Sequence, residues 1–210
     1  MKKLLSVFAF VALMATGAVP SVARAEIAIG KPAPDYTFKD IKGREYDLKK
    51  LTDSGQTVVL EWTNPSCPFV HKFYDSGRMQ VFQQTQYKNL PITWITVNSS
   101  ATGKEGYFES DADAQKWVDD NHFHGTAYVR DPSGAFGKLY GAKATPHMFI
   151  IGKNGNLLYQ GAIDNIPSAD KTDIDKAENF VLKGLQGLAE GRTPEITSTQ
   201  AYGCAVKYAD

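Results

Sequence analysis

The chain has 210 residues, of which 42% are hydrophobic, 22% charged and 11% aromatic. That is too little charge and too much aromatic content for a disordered chain, and it fits an ordinary globular protein. Lysine plus arginine equals aspartate plus glutamate at 23 each, so neither a basic face for nucleic acid nor an acidic tail is implied. Beyond the N-terminus no apolar run approaches the 18 residues of a membrane span, which excludes a multi-span membrane protein.

The first elements are processing signals. Met1, Lys2 and Lys3 make a short basic start, residues 4–18 are mostly apolar, and Pro20 and Ser21 end the run. Ala23-Arg24-Ala25 is an A-x-A cleavage pattern, so residues 1–25 read as a secretory signal peptide. Cleavage removes three cations and no acids, leaving a mildly acidic mature chain. A periplasmic or secreted location follows, with no membrane attachment after cleavage and conditions under which disulfides persist.

Residues 36–40 and 45–48 alternate around Lys42-Gly43 and predict a hairpin. Residues 58–62 and 92–97 read as buried strands on continuous apolar character. Between them, residues 68–87 carry Phe69, Phe73 and Phe82 at helical spacing, interrupted at Gly77. Residues 99–110 are polar and read as a surface loop, and 111–121 as a helix with acids in its first turn. A short strand over 126–130 leads to the turn Asp131-Pro132-Ser133-Gly134, a short helix over 135–140 and a stop at Gly141. A strand over 148–151, the turn Lys153-Asn154-Gly155-Asn156 and a return strand over 157–163 make a second hairpin. A final amphipathic helix covers 174–189, and residues 191–210 form a tail with little periodicity. The order implies one domain over 26–190. It is an α/β sandwich with a mixed central sheet flanked by helices, parallel in its early β-α-β part and antiparallel at the late hairpin.

Only two cysteines occur, Cys67 and Cys204. Cys67 stands where a buried strand ends and a helix begins, with Pro68 suited to the first helical position. Its sulfur is expected to face unpaired N–H groups at the positive end of the helix dipole, which favours thiolate. A thiolate attacks hydroperoxides and disulfides. The opposing reading is an inert, buried structural cysteine.

Cys67-Pro68-Phe69-Val70 resembles the active-site motif of thioredoxin-like proteins with its second cysteine replaced by Val70. Ala144-Thr145-Pro146 before a strand resembles that fold's cis-proline. The opening Ile29-Gly30-Lys31-Pro32-Ala33-Pro34 and the middle Asp131-Pro132-Ser133-Gly134 with Tyr140-Gly141 resemble the AhpC/TSA redoxins. Tyr202-Gly203-Cys204 is similar to the tail of a peroxiredoxin-like redoxin subfamily. The resemblance implies a thioredoxin-like fold and thiol-dependent redox chemistry at Cys67, with Thr145 and Pro146 as a backbone platform beside the sulfur. Two departures stand out. Val70 cannot resolve a mixed disulfide, and Asn64 occupies the position where peroxiredoxins carry threonine.

An oxidised Cys67 needs a second thiol, and Cys204 is its expected partner, in a transient or a permanent disulfide. In the loop-entropy account a permanent bridge would add roughly 5 kcal/mol of stability. His71, one turn beyond Cys67, is read either as a proton carrier for the thiolate or as a surface residue. Arg130 is read as a cation facing the site or as a surface partner of Asp131. The expected substrate is a hydroperoxide or a protein disulfide, regenerated by a thiol reductant, with no cofactor. Two other readings stay open. One is a copper- or metal-binding redoxin using Cys67 with His71 or His147; the other is a non-catalytic interaction domain.

Overall fold

The computed structural model describes residues 27–210, so the expected signal peptide lies outside the described residues. The hairpin expected near the start is present as β1 (Thr37–Lys39) and β2 (Glu45–Asp47), paired antiparallel. Helix α1 (Leu48–Asp53) follows directly, its N-terminus capped by Asp47, which accepts from the Lys50 amide. Strand β3 (Thr57–Trp62) is buried at every position. The helical stretch after it splits into α2 (Pro68–Tyr74) and α3 (Arg78–Gln83), with Gly77 in the left-handed region between them. Then come β4 (Ile92–Asn98), α4 (Asp111–Asp120), β5 (Ala127–Arg130) and α5 (Ala135–Tyr140). Strands β6 (Ala144–Thr145), β7 (His147–Ile151) and β8 (Leu157–Gly161) precede helix α6 (Phe180–Ala189), and β9 (Cys204–Ala205) closes the chain.

The central sheet has the order β5-β4-β3-β7-β8. Strands β3, β4 and β5 run parallel, and β7 and β8 are antiparallel to their neighbours, as the order of elements implied. Alternation along β3 divides the core. Val58, Leu60 and Trp62 face a layer formed by the first hairpin, Leu48 of α1 and Phe136 and Tyr140 of α5. Val59 faces the opposite layer, with Val70 and Phe73 of α2, Met79 and Phe82 of α3, and Val181 and Leu185 of α6. Each of these buried apolar side chains contributes about 1.5–3 kcal/mol by leaving water.

Three expectations change. The strand over 58–62 is not wholly apolar. Glu61 is fully buried on the α2 face and accepts from Trp94 Nε1 (2.8 Å), Tyr74 Oη (2.8 Å), Thr96 Oγ1 (2.9 Å) and Gln83 Nε2 (3.3 Å). Burial raises its carboxyl above the ordinary range although the four donors pull the other way. The polar loop after β4 is not simply surface, because Ser99 and Ser100 are buried. Ser99 Oγ accepts from Trp62 Nε1 and donates to Asp131 Oδ2, tying the loop to the core. Finally, the long helix expected over 174–189 is broken. Residues Lys171–Lys176 form a 3-10 turn, and α6 restarts after Asn179, whose side chain accepts from the Leu182 amide. A backbone bridge between Asp164 and Asn179 keeps the chain extended at the break.

The tail beyond α6 is built into the fold. Ser198 bridges Gln160 at the β8 edge, and the Gln160 and Thr199 amides bond across to Thr197 O and Gln160 O. Gly161 makes room for this crossing: its φ is +147°, and a Cβ there would lie 2.2 Å from Thr199 Oγ1 and 2.5 Å from Thr199 O. Gly161→Ala should therefore displace the tail and cost about 1–3 kcal/mol. In hydrogen exchange, the Thr199 and Gln160 amides should lose protection while those of β3 keep theirs; unchanged protection at Thr199 would show that the tail is anchored elsewhere.

Candidate functional site

The site is assembled at the end of β3. Thr63 continues the ladder by donating its amide to Val97 O (2.9 Å). Asn64 then turns the chain. Its Oδ1 accepts from the Ser66 amide (2.8 Å), its carbonyl accepts from the Cys67 amide (3.1 Å), and its Nδ2 reaches Glu105 O (3.0 Å) and Ser100 Oγ (3.3 Å). Every polar atom of the Asn64 amide is thus occupied by the loops on either side. Cys67 is the N-cap of α2, with φ −83° and ψ 122°, and Pro68 is the first helical residue. The Cys67 carbonyl accepts from the amides of Val70 and His71, both at 2.9 Å.

The helix start is as expected, but the sulfur's surroundings are not. No N–H of α2 bonds to it. Cys67 is only 1% exposed and packs within the apolar layer of Val70, Phe73 and Met148. Its thiol donates to the carbonyl of Thr145 (3.1 Å), immediately before the cis Thr145–Pro146 bond. Thr145 and Pro146 therefore stand beside the sulfur. The Thr145 contribution is a carbonyl acceptor.

Cys204 arrives from the far end of the chain. Strand β9 pairs antiparallel with β6, and the register sets Cys204 opposite Thr145 and Ala205 opposite Ala144. Gly203 permits the approach. A Cβ there would lie 2.0 Å from Thr145 O, and its φ of +122° suits glycine alone. Downstream, Val206 N donates to Lys143 O and Ala101 N to Lys207 O. Cys204 is half-buried beside Cys67, close enough for the two thiols to influence each other's charge, and both cysteines are free thiols. Burial, followed by the adjacent Cys67 sulfur and its charge, pushes the Cys204 thiol up to about 12.

Tyr202, two residues earlier in the same tail motif, has no role assigned from the sequence. Its ring meets that of Phe69 edge-on at 5.8 Å, and its hydroxyl donates to Asp164 Oδ1 at 2.5 Å. Asp164 is paired with Lys72 of α2 at 3.6 Å, and both side chains are shut off from water. A cue was available: Lys72 falls on the same helical face as Phe69 and Phe73, where a solvated lysine does not belong.

Other expected site residues are not brought to the sulfur. His71 is exposed and its Nδ1 pairs with Asp75 Oδ1 (3.1 Å), further along α2. Arg130 donates to Asp111 Oδ1 (2.8 Å) and to Phe108 O (2.6 Å), so it fastens the loop before α4 and does not face Cys67. His147 is buried, but it is opposite Trp62 in the sheet register and contacts Phe149 at 4.5 Å, on the face away from Cys67. Its Nδ1 accepts from the Lys143 amide (3.2 Å). Cys67, His71 and His147 therefore do not converge. Among the described residues no group of three or more His, Cys, Asp and Glu side chains is placed to hold a metal ion.

The sheet order, the cysteine at the head of α2 and the cis-proline strand facing it define a redoxin of the thioredoxin-like class. The chain belongs to the AhpC/TSA family, whose model matches residues 29–160. An uncharacterized conserved protein from Geobacillus kaustophilus superposes with a TM-score of 0.71 at 20% identity, covering 87% of this chain and 93% of its own. A hypothetical protein from Sinorhizobium meliloti gives 0.66 at 20% identity, covering 88% and 97%. A protein assigned as the thiol:disulfide interchange protein DsbE from Chlorobium tepidum gives 0.50 at 25% identity, covering 64% and 85%. No curated protein matches the sequence. No helix among the described residues is long and apolar enough to cross a membrane.

The family match ends before the tail, so Cys204 lies outside it. Its acidity is directly measurable. Raised from 9 to about 12, the thiol stays protonated in the folded reduced protein until the pH nears 12. Allowing for the greater nucleophilicity of a more basic thiolate, alkylation of Cys204 by iodoacetamide at pH 8 should be roughly 50-fold slower in the folded reduced protein than in urea. Peptide mass mapping against time would read this, and equal folded and unfolded rates would contradict it.

Proposed function

We propose that this protein is an exported thiol-disulfide oxidoreductase whose redox-active pair is Cys67 and Cys204. The observation that supports the reading is the convergence of two free thiols on one peptide unit: the β6–β9 register sets Cys204 opposite Thr145, whose carbonyl accepts from the Cys67 thiol. Val70 occupies the place of a local second cysteine, and Cys204 supplies that thiol from the tail instead.

The chemistry runs as follows. When strand β9 lifts, Cys67 loses its proton and its thiolate attacks a substrate disulfide. A Cys67–substrate bond forms and one substrate thiolate leaves. Cys204 gives up its proton and attacks the Cys67 sulfur. The Cys67–Cys204 disulfide forms and the second substrate thiolate leaves. The substrate gains two electrons and two protons, and the protein's dithiol becomes a disulfide. An external thiol reductant returns the protein to its starting state. Substrate disulfides on exported proteins suit the location implied by the signal pattern.

Disulfide exchange is preferred over peroxide reduction because the groups that would polarise a peroxide are engaged elsewhere. The Asn64 amide is bound by Ser66, Ser100 and Glu105, and Arg130 is held by Asp111 and Phe108.

The test is stoichiometric oxidation followed by non-reducing peptide mapping. Oxidised glutathione should convert the reduced protein to one intramolecular Cys67–Cys204 disulfide. Cys204→Ser should stall as a Cys67–glutathione mixed disulfide, and Cys67→Ser should lose turnover with a protein disulfide. Faster formation of the bridge with hydroperoxide than with glutathione disulfide would shift the assignment to a peroxidase. A Cys67→Ser protein as active as the parent would remove the redox assignment altogether.

A further inference from the structure

We infer that Lys72, Asp164 and Tyr202 are positioning residues that set how effectively Cys204 is presented to Cys67. The inference rests on the dithiol reading above and deepens it by naming what holds the second thiol in place.

The argument begins with α2. The helix that starts at Cys67 carries Phe69 and Lys72 on its buried side, and Lys72 has no exposed side-chain surface. A buried ammonium must be paired and hydrogen-bonded. Here Nζ donates to Ile166 O (3.3 Å), lies 3.6 Å from Asp164 Oδ2 and sits 5.0 and 6.0 Å from the ring centres of Phe73 and Tyr202. Asp164, beyond the end of β8, is 2% exposed. Its Oδ1 accepts from the Ile166 amide (3.0 Å) and from the Tyr202 hydroxyl (2.5 Å), while Oδ2 has the lysine's charge but no hydrogen bond. Burial and the adjacent carboxylate hold the Tyr202 phenol in its neutral, donating form.

Three separate segments therefore meet at one carboxylate: the helix that carries the first sulfur, the turn after β8 and the tail that carries the second. Tyr202 is two residues from Cys204, and its ring rests on Phe69, two residues from Cys67. On its other side Cys204 is followed by backbone pairing of Val206 and Lys207, by the Lys207–Glu105 ion pair (3.1 Å) and by the Tyr208 hydroxyl donating to Ala142 O (2.9 Å), none of which touches α2. On the N-terminal side the Thr199 hydroxyl anchors the tail to Tyr159 and Ala162, and the carboxylate network is the side-chain contact nearer to Cys204 and the one that ties the strand to α2. Effective concentration in an intramolecular exchange depends on such restriction.

The experiment equilibrates the full chain in redox buffers of reduced and oxidised glutathione and quantifies the Cys67–Cys204 disulfide by mass after acid quench. Forming the bridge consumes one glutathione disulfide and releases two glutathione thiols, so the equilibrium constant is an effective concentration. Tyr202→Phe keeps the ring and deletes the charge-assisted bond. It should lower that constant about tenfold or more. Asp164→Asn should lower it further. Tyr140→Phe, which deletes a buried phenol bond to Pro34 O (2.6 Å) in the opposite core layer, should leave it unchanged. A general loss of stability would move all three variants, whereas a positioning role moves only the first two. Parental constants in Tyr202→Phe and Asp164→Asn would overturn the inference and leave the dithiol reading standing. Failure of the parent to form the bridge at any ratio would overturn both.

Discussion

The antiparallel pairing of β9 with β6 is the constraint on which the candidate site depends. It is a two-residue ladder, yet it sets Cys204 opposite Thr145, and the Thr145 carbonyl is the acceptor for the Cys67 thiol. One peptide unit therefore serves both sulfurs: its backbone holds one strand in register, and its oxygen orients the other thiol. The closeness tolerates no side chain at Gly203, so the register cannot slip by a residue without a clash. The glycine before the cysteine is part of the geometry that joins the two ends of the chain.

Around this contact the protein buries charge where hydrocarbon would be simpler. Glu61 lies under four donors on the α2 face, and Lys72 and Asp164 are enclosed between α2 and the tail. Burying such groups costs several kcal/mol each, and removing one partner of a buried pair typically costs about 3–5 kcal/mol. Pairs like these add specificity more readily than stability. Glu61 ties β3 to β4, α2 and α3, and Asp164 ties α2 to the tail. Together they restrict how α2 can shift relative to the sheet.

Much of the frame was legible in the residues. The central strands follow from apolar runs, α2 and α3 from aromatic spacing and a glycine break, and the head of α2 from the cysteine-proline pair. What failed did so for physical reasons. A strand of two residues has no period, so β9 left no pattern in the tail. The break before α6 depends on the Asn179 side chain winning a local bond and on a backbone bridge to Asp164, a long-range contact. The sulfur's apolar setting comes from Val70, Phe73 and Met148, which converge from different elements. His71 and Arg130 sit near the right places in the chain, but the rotation of one helix and the end of one strand direct them elsewhere. The Lys72–Asp164–Tyr202 cluster joins three distant segments, and only the oddity of a lysine on an apolar face hinted at it.

Pairing the first sulfur with a partner supplied so late has a consequence for biogenesis. Cys67 leaves the ribosome well before Cys204, and the layer that will enclose it is incomplete until the last strand docks. During that interval its thiol is solitary and open to exchange with any foreign disulfide it meets, which would leave half of that disulfide bonded to Cys67 and release the other half as a thiol. Docking of β9 then ends this vulnerability in one step, because the strand that covers the first thiol also delivers the second.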